Sequence, residues 1–201
     1  MENFETERLI IRPFVIDDLE TAHQLLDIDI QWSGPSFSLE QRRQRIQFYI
    51  DLAGWHDVGR LYGYRAIILK ASQNLIGMCG FQPGMYTPRD KALFWPQLYP
   101  NYDDPNIAIG TMELSLGYAL SSQHRGQGYA AEAVGTIVRY AFQTLKLKRI
   151  FAETNRSNTG SINLMQRIGM RTASNPNRPK EDWPGGPGVV GVIDNALAVS
   201  D

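Results

Sequence analysis

A chain of 201 residues, 43% of them apolar, can bury one substantial core, and its length argues for one domain rather than two. Its 20 lysines and arginines are balanced by 21 acidic residues, so no basic field draws it onto nucleic acid or an anionic membrane, and neither is an expected partner. The opening residues lack the basic flank and apolar run of a secretory leader, and no apolar stretch is long enough to span a bilayer. A soluble, cytoplasmic protein is therefore expected. The single cysteine, Cys79, lies in the apolar run Leu75 to Phe81 and reads as a core residue.

In chain order, Leu9 to Phe14 predicts a first strand. Asp17-Asp18-Leu19-Glu20 has a capping-box layout with Asp17 as the cap, opening a short helix to about Leu26. Trp32 to Phe37 is rich in turn residues. Ser38-Leu39-Glu40-Gln41 repeats the capping signal, and Ile46, Tyr49, Ile50 and Ala53 follow at helical spacing, with the arginines of that helix expected on its wet face. Tyr64 to Lys70 and Asn74 to Phe81 form a predicted antiparallel hairpin about the polar turn Lys70 to Gln73.

The stretch from Gln82 to Thr111 carries Pro83, Pro88, Pro96, Pro100 and Pro105, which predicts neither a regular helix nor a central strand. It reads as an insertion at about 82–111. Its Phe94, Trp95, Tyr99 and Tyr102 either wall a substrate cleft or form an ordered crust or subunit contact. Met112 to Leu120 is the fourth predicted strand. Ala130, Val134, Ile137, Val138, Ala141, Phe142 and Leu145 recur on one helical face, Arg149 to Thr154 is a fifth strand, and Ile162 to Ile168 is a short helix stopped by Gly169. A Pro/Gly-rich segment at about 175–188 precedes a last strand, Val189 to Ile193. Residues 1–201 thus read as a single α+β domain with a mixed, mainly antiparallel sheet flanked by helices.

The chemistry points to the segment between the fourth strand and the helix after it, Gln123-His124-Arg125-Gly126-Gln127-Gly128. Glycines let backbone approach a phosphate closely, and the first turn of a helix leaves amides without partners under a positive macrodipole. Two glycines at a strand-to-helix junction also serve merely to make a turn. A third reading is the dinucleotide pattern G-x-G-x-x-A, met by Gly126-Gln127-Gly128-Tyr129-Ala130-Ala131, with Glu153 ending the next strand as a ribose-binding acid. Against it stand the polar spacer Ser121 to Arg125, the late start of the unit and the short sequence remaining after it. His23, His56 and His124 show no metal-ligand spacing; the first two read as surface residues and His124 as a support of the loop.

Gln123-x-x-Gly126-x-Gly128-x-Ala130 resembles the acetyl-CoA signature Q/R-x-x-G-x-G/A of the GNAT acetyltransferases. Asn155-x-x-Asn158-x-x-Ser161-x-x-Leu164, ending at Ile168-Gly169-Met170, is similar to the second segment of that family. Together with Thr6-Glu7-Arg8-Leu9-Ile10-Ile11-Arg12-Pro13 it resembles the branch that acetylates ribosomal-protein N-termini, the RimJ/RimL-like enzymes. The resemblance covers residues 6 to 81 and 112 to 170.

It implies a sheet splayed between the fourth and fifth predicted strands and an acetyl-CoA cosubstrate held by Leu120, Ser121, Gln123, His124, Arg125, Gly126, Gln127, Gly128, Tyr129, Ala130, Asn155, Asn158 and Ser161. Main chain from Gly117 to Ser121 would meet the thioester carbonyl. No metal is implied. Many members carry a tyrosine acid where this chain has Met165, so Ser161 takes that role or only faces the cofactor. Glu113 is the expected base, with Glu153 acting through water as the other choice. The implied activity is transfer of an acetyl group to a primary amine, either a protein N-terminus or a small molecule, by a monomer or homodimer. A noncatalytic acyl-CoA sensor is the rival reading, and an NAD(P)-dependent oxidoreductase the third.

Overall fold

The computed structural model describes residues 3–31, 36–54, 62–99, 101, 111–178 and 186–195. These divide into two compact units, each assembled from separate stretches of chain: residues 1–82 with 117–141, and 83–116 with 142–201. One mixed sheet has the strand order β1-β2-β3-β4-β5-β6-β8-β7, with the ranges given below.

The first unit opens with β1 (Phe4–Glu5), which pairs antiparallel with β2 (Leu9–Pro13). Leu9 and Ile11 are buried, the alternation expected of a strand with one covered face. β2 pairs with β3 (Gly63–Leu69), and β3 turns back into β4 (Asn74–Tyr86) through a turn in which Gln73 takes a φ of 59°. Phe14, Leu19, Leu26, Ile46, Tyr64, Ile68, Met78 and Ala119 share one core. Cys79 is buried as expected, and burial pushes its thiol pKa up to about 12.

The helices depart from expectation at their charged residues. The first helical segment is a 3-10 turn (Ile16–Asp18), then α1 (Leu19–His23), then a π-helical stretch (Gln24–Asp29), so it continues beyond Leu26. Asp18 and not Asp17 stabilises its start: the Val15 amide donates to Asp18 at 2.9 Å, and Arg12 adds two bonds at 2.7 and 2.8 Å. A carboxylate facing a guanidinium fork is better satisfied there than at the solvent-facing position before it.

The next helix, α2 (Leu39–Gly54), has the expected reciprocal cap, Ser38 amide to Gln41 at 2.8 Å and Gln41 amide to Ser38 Oγ at 3.3 Å. Its arginines do not all face water. Arg42 is 2% exposed and grips buried Asp27 through two bonds of 2.7 Å. His23, expected at the surface, is drawn into the same group, with Nδ1 3.1 Å from Asp27. Burial alone would raise the Asp27 pKa, but hydrogen bonds from Arg42 and His23 outweigh it and hold the group low. His56 and Trp32 to Pro35 lie outside the described residues.

The 82–111 region overturns an expectation. β4 does not stop at Phe81 but runs through Pro83 to Tyr86, because proline's fixed φ suits extended backbone. A regular helix follows, α3 (Pro88–Ala92), although the prolines argued against one. Pro88 occupies its first position, where the missing N–H would have no helical partner anyway, and Thr87 and Asp90 cap it reciprocally at 3.2 and 2.8 Å. Phe94 and Trp95 pack against the second unit's cluster of Tyr86, Phe151, Val190 and Val192, the ordered-crust alternative for those two side chains. Tyr102 lies outside the described residues.

The remaining elements are β5 (Thr111–Leu120), α4 (Tyr129–Gln143), β6 (Arg149–Asn155), α5 (Thr159–Arg167), β7 (Arg171–Ser174) and β8 (Gly188–Asp194). β5 and β6 run parallel, with Ser115 opposite Phe151, while β6 and β7 both pair antiparallel with β8. The short strands β1 and β7 are additions to the sequence reading. A Cβ on Gly191 would stand 2.9 Å from Met165 Sδ, so glycine in β8 lets that buried methionine seat against the strand.

Candidate functional site

The candidate site residues fall into two groups, one in each compact unit. In the first unit, β5 ends at Leu120 and a 3-10 turn, Ser122–His124, leads to α4. Gly126 and Gly128 take φ values of 77° and 85°, a region that favours glycine. A Cβ on Gly126 would meet nothing within 4 Å, so the space over this turn is open to a ligand. The segment that follows enters α4, whose Glu132 amide makes its helical bond to the Gly128 carbonyl at 3.0 Å. The amides of Tyr129, Ala130 and Ala131 therefore head the helix, the arrangement that receives anions.

The side chains of the loop mostly hold its shape. Arg125 Nε donates to the Leu120 carbonyl at 3.2 Å, and Gln127 Nε2 to the Gln123 carbonyl at 3.1 Å. The Ser121 amide donates to the Ile76 carbonyl at 2.8 Å, which commits that donor within the sheet. His124 Nδ1 is buried with no hydrogen-bond partner among the described residues, a polar atom that a bound ligand would satisfy. Positive-φ glycines, open space and an orphaned ring nitrogen together fit a pyrophosphate-bearing cosubstrate.

A brace that sequence reasoning missed lies alongside. Arg8 donates from Nη1 to the Gln127 carbonyl at 3.0 Å and from Nε to Glu132 at 2.8 Å, and its guanidinium lies 4.4 Å from the Tyr129 ring centre. Thr6 Oγ1 and the Arg8 amide also donate to Glu132. Burial alone would raise the Glu132 pKa, but these hydrogen bonds and the Arg8 charge hold it low. Glu132 sits in the first turn of α4, where a bare carboxylate would repel an arriving phosphate; Arg8 cancels that charge. No local pattern signals a contact between residues 124 positions apart.

In the second unit, Glu113 and Ser115 share a face of β5 by strand alternation. Glu113 forms an ion pair with Lys91 Nζ, and Ser115 Oγ accepts from the buried Tyr86 hydroxyl at 3.1 Å. On β6, Phe151, Glu153 and Asn155 share a face, and Tyr86 stacks on Phe151 with ring centres 4.0 Å apart. The Glu153 side chain reaches solvent, yet surrounding protein desolvates it and nearby Asp90 repels its charge, so its pKa is raised against the opposing pull of Arg178.

The two signature asparagines shape the entry to α5. Asn158 caps that helix, its Oδ1 accepting from the Ser161 amide at 3.1 Å, and Asn155 Oδ1 accepts from Arg178. Ser161 is half-buried in the first turn, while Met165 is fully buried and faces the core. Asp90, Arg178 and Tyr86 around Glu153 were not singled out by the sequence reading. They come from the insertion, the segment before β8 and the end of β4, and only folding makes them neighbours. Among the described residues, no cluster of His, Cys, Asp and Glu is arranged to hold a metal ion, and no helix is long and apolar enough to cross a membrane.

Similarity to known proteins bears on the family and the fold. The chain is 30% identical over 178 residues to the uncharacterized N-acetyltransferase p20 of Bacillus licheniformis, covering 84% of this chain and 82% of that protein. Its structure matches a ribosomal-protein alanine acetyltransferase from Vibrio fischeri with a TM-score of 0.67 at 18% identity, covering 98% of each chain. It also matches RimL, a ribosomal-protein α-N-acetyltransferase in complex with coenzyme A, with a TM-score of 0.67 at 14% identity, covering 96% of this chain and 98% of that one. Such structural likeness establishes the shared fold. The profile of the acetyltransferase (GNAT) domain spans residues 8–171, and with it the chain belongs to the GNAT acetyltransferase family.

Proposed function

We propose that this chain moves the acetyl group of acetyl-CoA to a primary amine, the acceptor being a protein N-terminus or a small-molecule amine. The observation that carries the donor assignment is the Gly126–Ala130 turn, where two left-handed glycines lead into α4 and the space over Gly126 is open, in a loop that also carries the orphaned His124 Nδ1. The amides of that turn hold the pyrophosphate, with Gln123, Arg125 and Gln127 keeping it in shape. Leu120, which ends β5 just before that turn, belongs to the same donor site. RimL's complex with coenzyme A supports this reading by analogy.

The acceptor's neutral amine attacks the thioester carbonyl, a base takes the proton released as the C–N bond forms, and collapse of the tetrahedral intermediate breaks the C–S bond. The thiolate then gains a proton. Glu153 suits the base role better than Glu113. Its proton affinity is raised, chiefly by burial and further by Asp90, whereas the Glu113 carboxylate is committed to an ion pair with Lys91. Ser161 supplies the hydroxyl that meets the leaving sulfur, a role buried Met165 cannot fill.

Isothermal titration with acetyl-CoA, with NADH as a parallel ligand, tests the donor. Micromolar acetyl-CoA binding without NADH binding is the expected result; NADH binding alone would replace this reading with a dinucleotide enzyme. Free-thiol release is then followed across N-terminal peptides, polyamines and amino acids. Tight donor binding with no thiol release from any amine between pH 6 and 9 would make the protein an acyl-CoA sensor instead.

A further inference from the structure

We propose that Arg178 is a positioning residue of the acetyl-transfer site, fixing the Asn155 side chain and, opposite Asp90, setting the charge around Glu153. The inference rests on the reading of Glu153 as the base.

Arg178 reaches its place because the chain before β8 is clasped at both ends. The Asn175 amide donates to the Gly188 carbonyl at 2.9 Å, and the Gly188 amide donates to the Arg178 carbonyl at 2.8 Å. A Cβ on Gly188 would lie 3.1 Å from Arg178 Cβ, so glycine there lets the two backbones close. From this clasp the Arg178 guanidinium donates through Nη2 to Asn155 Oδ1 at 2.5 Å and to the Gly186 carbonyl at 3.2 Å. The neighbouring Asn177 donates from Nδ2 to both Asp90 oxygens at 2.8 and 2.9 Å.

One short strap thus holds a cation at the end of β6 and an anion on α3. Asn155 and Glu153 are two residues apart on β6 and share a face, so the fork bound to Asn155 lies beside Glu153. The charges acting on Glu153 are Asp90 from α3 and Arg178 from the strap, and the Tyr86 hydroxyl from β4 feels Glu153, Asp90 and Glu113, the last paired with Lys91. Burial favours the protonated carboxyl most, Asp90 adds to it and Arg178 favours the carboxylate, so the two charges adjust the pH at which Glu153 becomes competent.

The test is the pH dependence of kcat/KM for Arg178→Gln, Arg178→Lys, Asp90→Asn and Glu153→Gln, alongside the Glu153 carboxyl titration followed by NMR. Loss of the cation in Arg178→Gln moves the acid limb to higher pH, lowering the rate on that limb about threefold, and Arg178→Lys largely restores its position. Asp90→Asn moves the limb the other way. Opposite displacements, matched by the NMR midpoints, are not produced by a merely structural role. Folded Arg178→Gln and Asp90→Asn variants whose limbs stay fixed, or move together, overturn the proposal. Should Arg178→Gln not fold, Asp90→Asn and Arg178→Lys decide it on the same criterion. Glu153→Gln separates this from the reading beneath it: if the limb persists there, the base assignment fails, whereas a lost limb with Arg178 and Asp90 variants unmoved sinks only the positioning role.

Discussion

Two glutamates in this protein are held in opposite states, and the contrast separates the two halves of the chemistry. Glu132, at the head of α4, is gripped by Thr6 and Arg8 and kept readily ionised, its charge cancelled so that the helix terminus stays attractive to an anion. Glu153, on β6, is partly desolvated and placed near Asp90, which keeps its proton affinity up. In the proposed mechanism, one environment neutralises a carboxylate beside the donor and the other preserves a carboxylate's basicity for proton transfer.

The most severe way to break the donor half is steric. Gly126→Val or Gly128→Val puts a branched side chain on a left-handed backbone in the space a pyrophosphate needs, and acetyl-CoA affinity by titration should fall by more than about 100-fold while circular dichroism stays native. Unchanged affinity in folded variants would remove the loop from the site.

Next in size is the loss of the base. Glu153→Gln should lower kcat/KM by about 100-fold with donor affinity intact, and the wild-type acid limb should lie above the ordinary glutamate value of about 4.3, because the raised pKa keeps the carboxyl protonated to higher pH. Glu113→Gln should show itself in the melt, by on the order of 3 kcal/mol, since it strips the negative charge facing buried Lys91. A larger rate loss in Glu113→Gln than in Glu153→Gln would reverse the two roles.

A smaller effect probes the brace. Arg8→Ala leaves Glu132 uncompensated, so donor affinity should drop about tenfold at low salt and recover in the Arg8→Ala, Glu132→Gln double variant. Failure of the second change to rescue would mean that Arg8 acts on the loop by shape alone. The linked pH effect has a definite sign. Because the folded-state pKa of Glu132 is depressed, its contribution to stability is present above about 4.3 and is lost as pH falls through the folded value, a trend absent from a Glu132→Gln melt series. Smallest of all, Ser161→Ala should reduce kcat by roughly tenfold or less, since water can protonate a thiolate; a larger loss would mark the serine as the obligatory acid.

The residues themselves determined the turn proposed to hold the donor. A glycine pair between a strand and a strongly periodic helix constrains backbone locally, so Gly126, Gly128 and the start of α4 were readable without any distant contact, as was the Ser38–Gln41 cap. The proline-bearing stretch misled because a proline's effect depends on its place in an element: at the first position of α3 it costs nothing, and in β4 it suits the extended chain. What only the tertiary structure decided is which charges meet. Arg8 with Glu132, Arg42 with Asp27, and Arg178 with Asn155 are pairings between distant parts of the chain, and no local period or propensity encodes them. Electrostatic environment is a property of proximity and desolvation, so composition could name the carboxylates but only folding decided that Glu132 is held ionised and Glu153 kept protonated to higher pH.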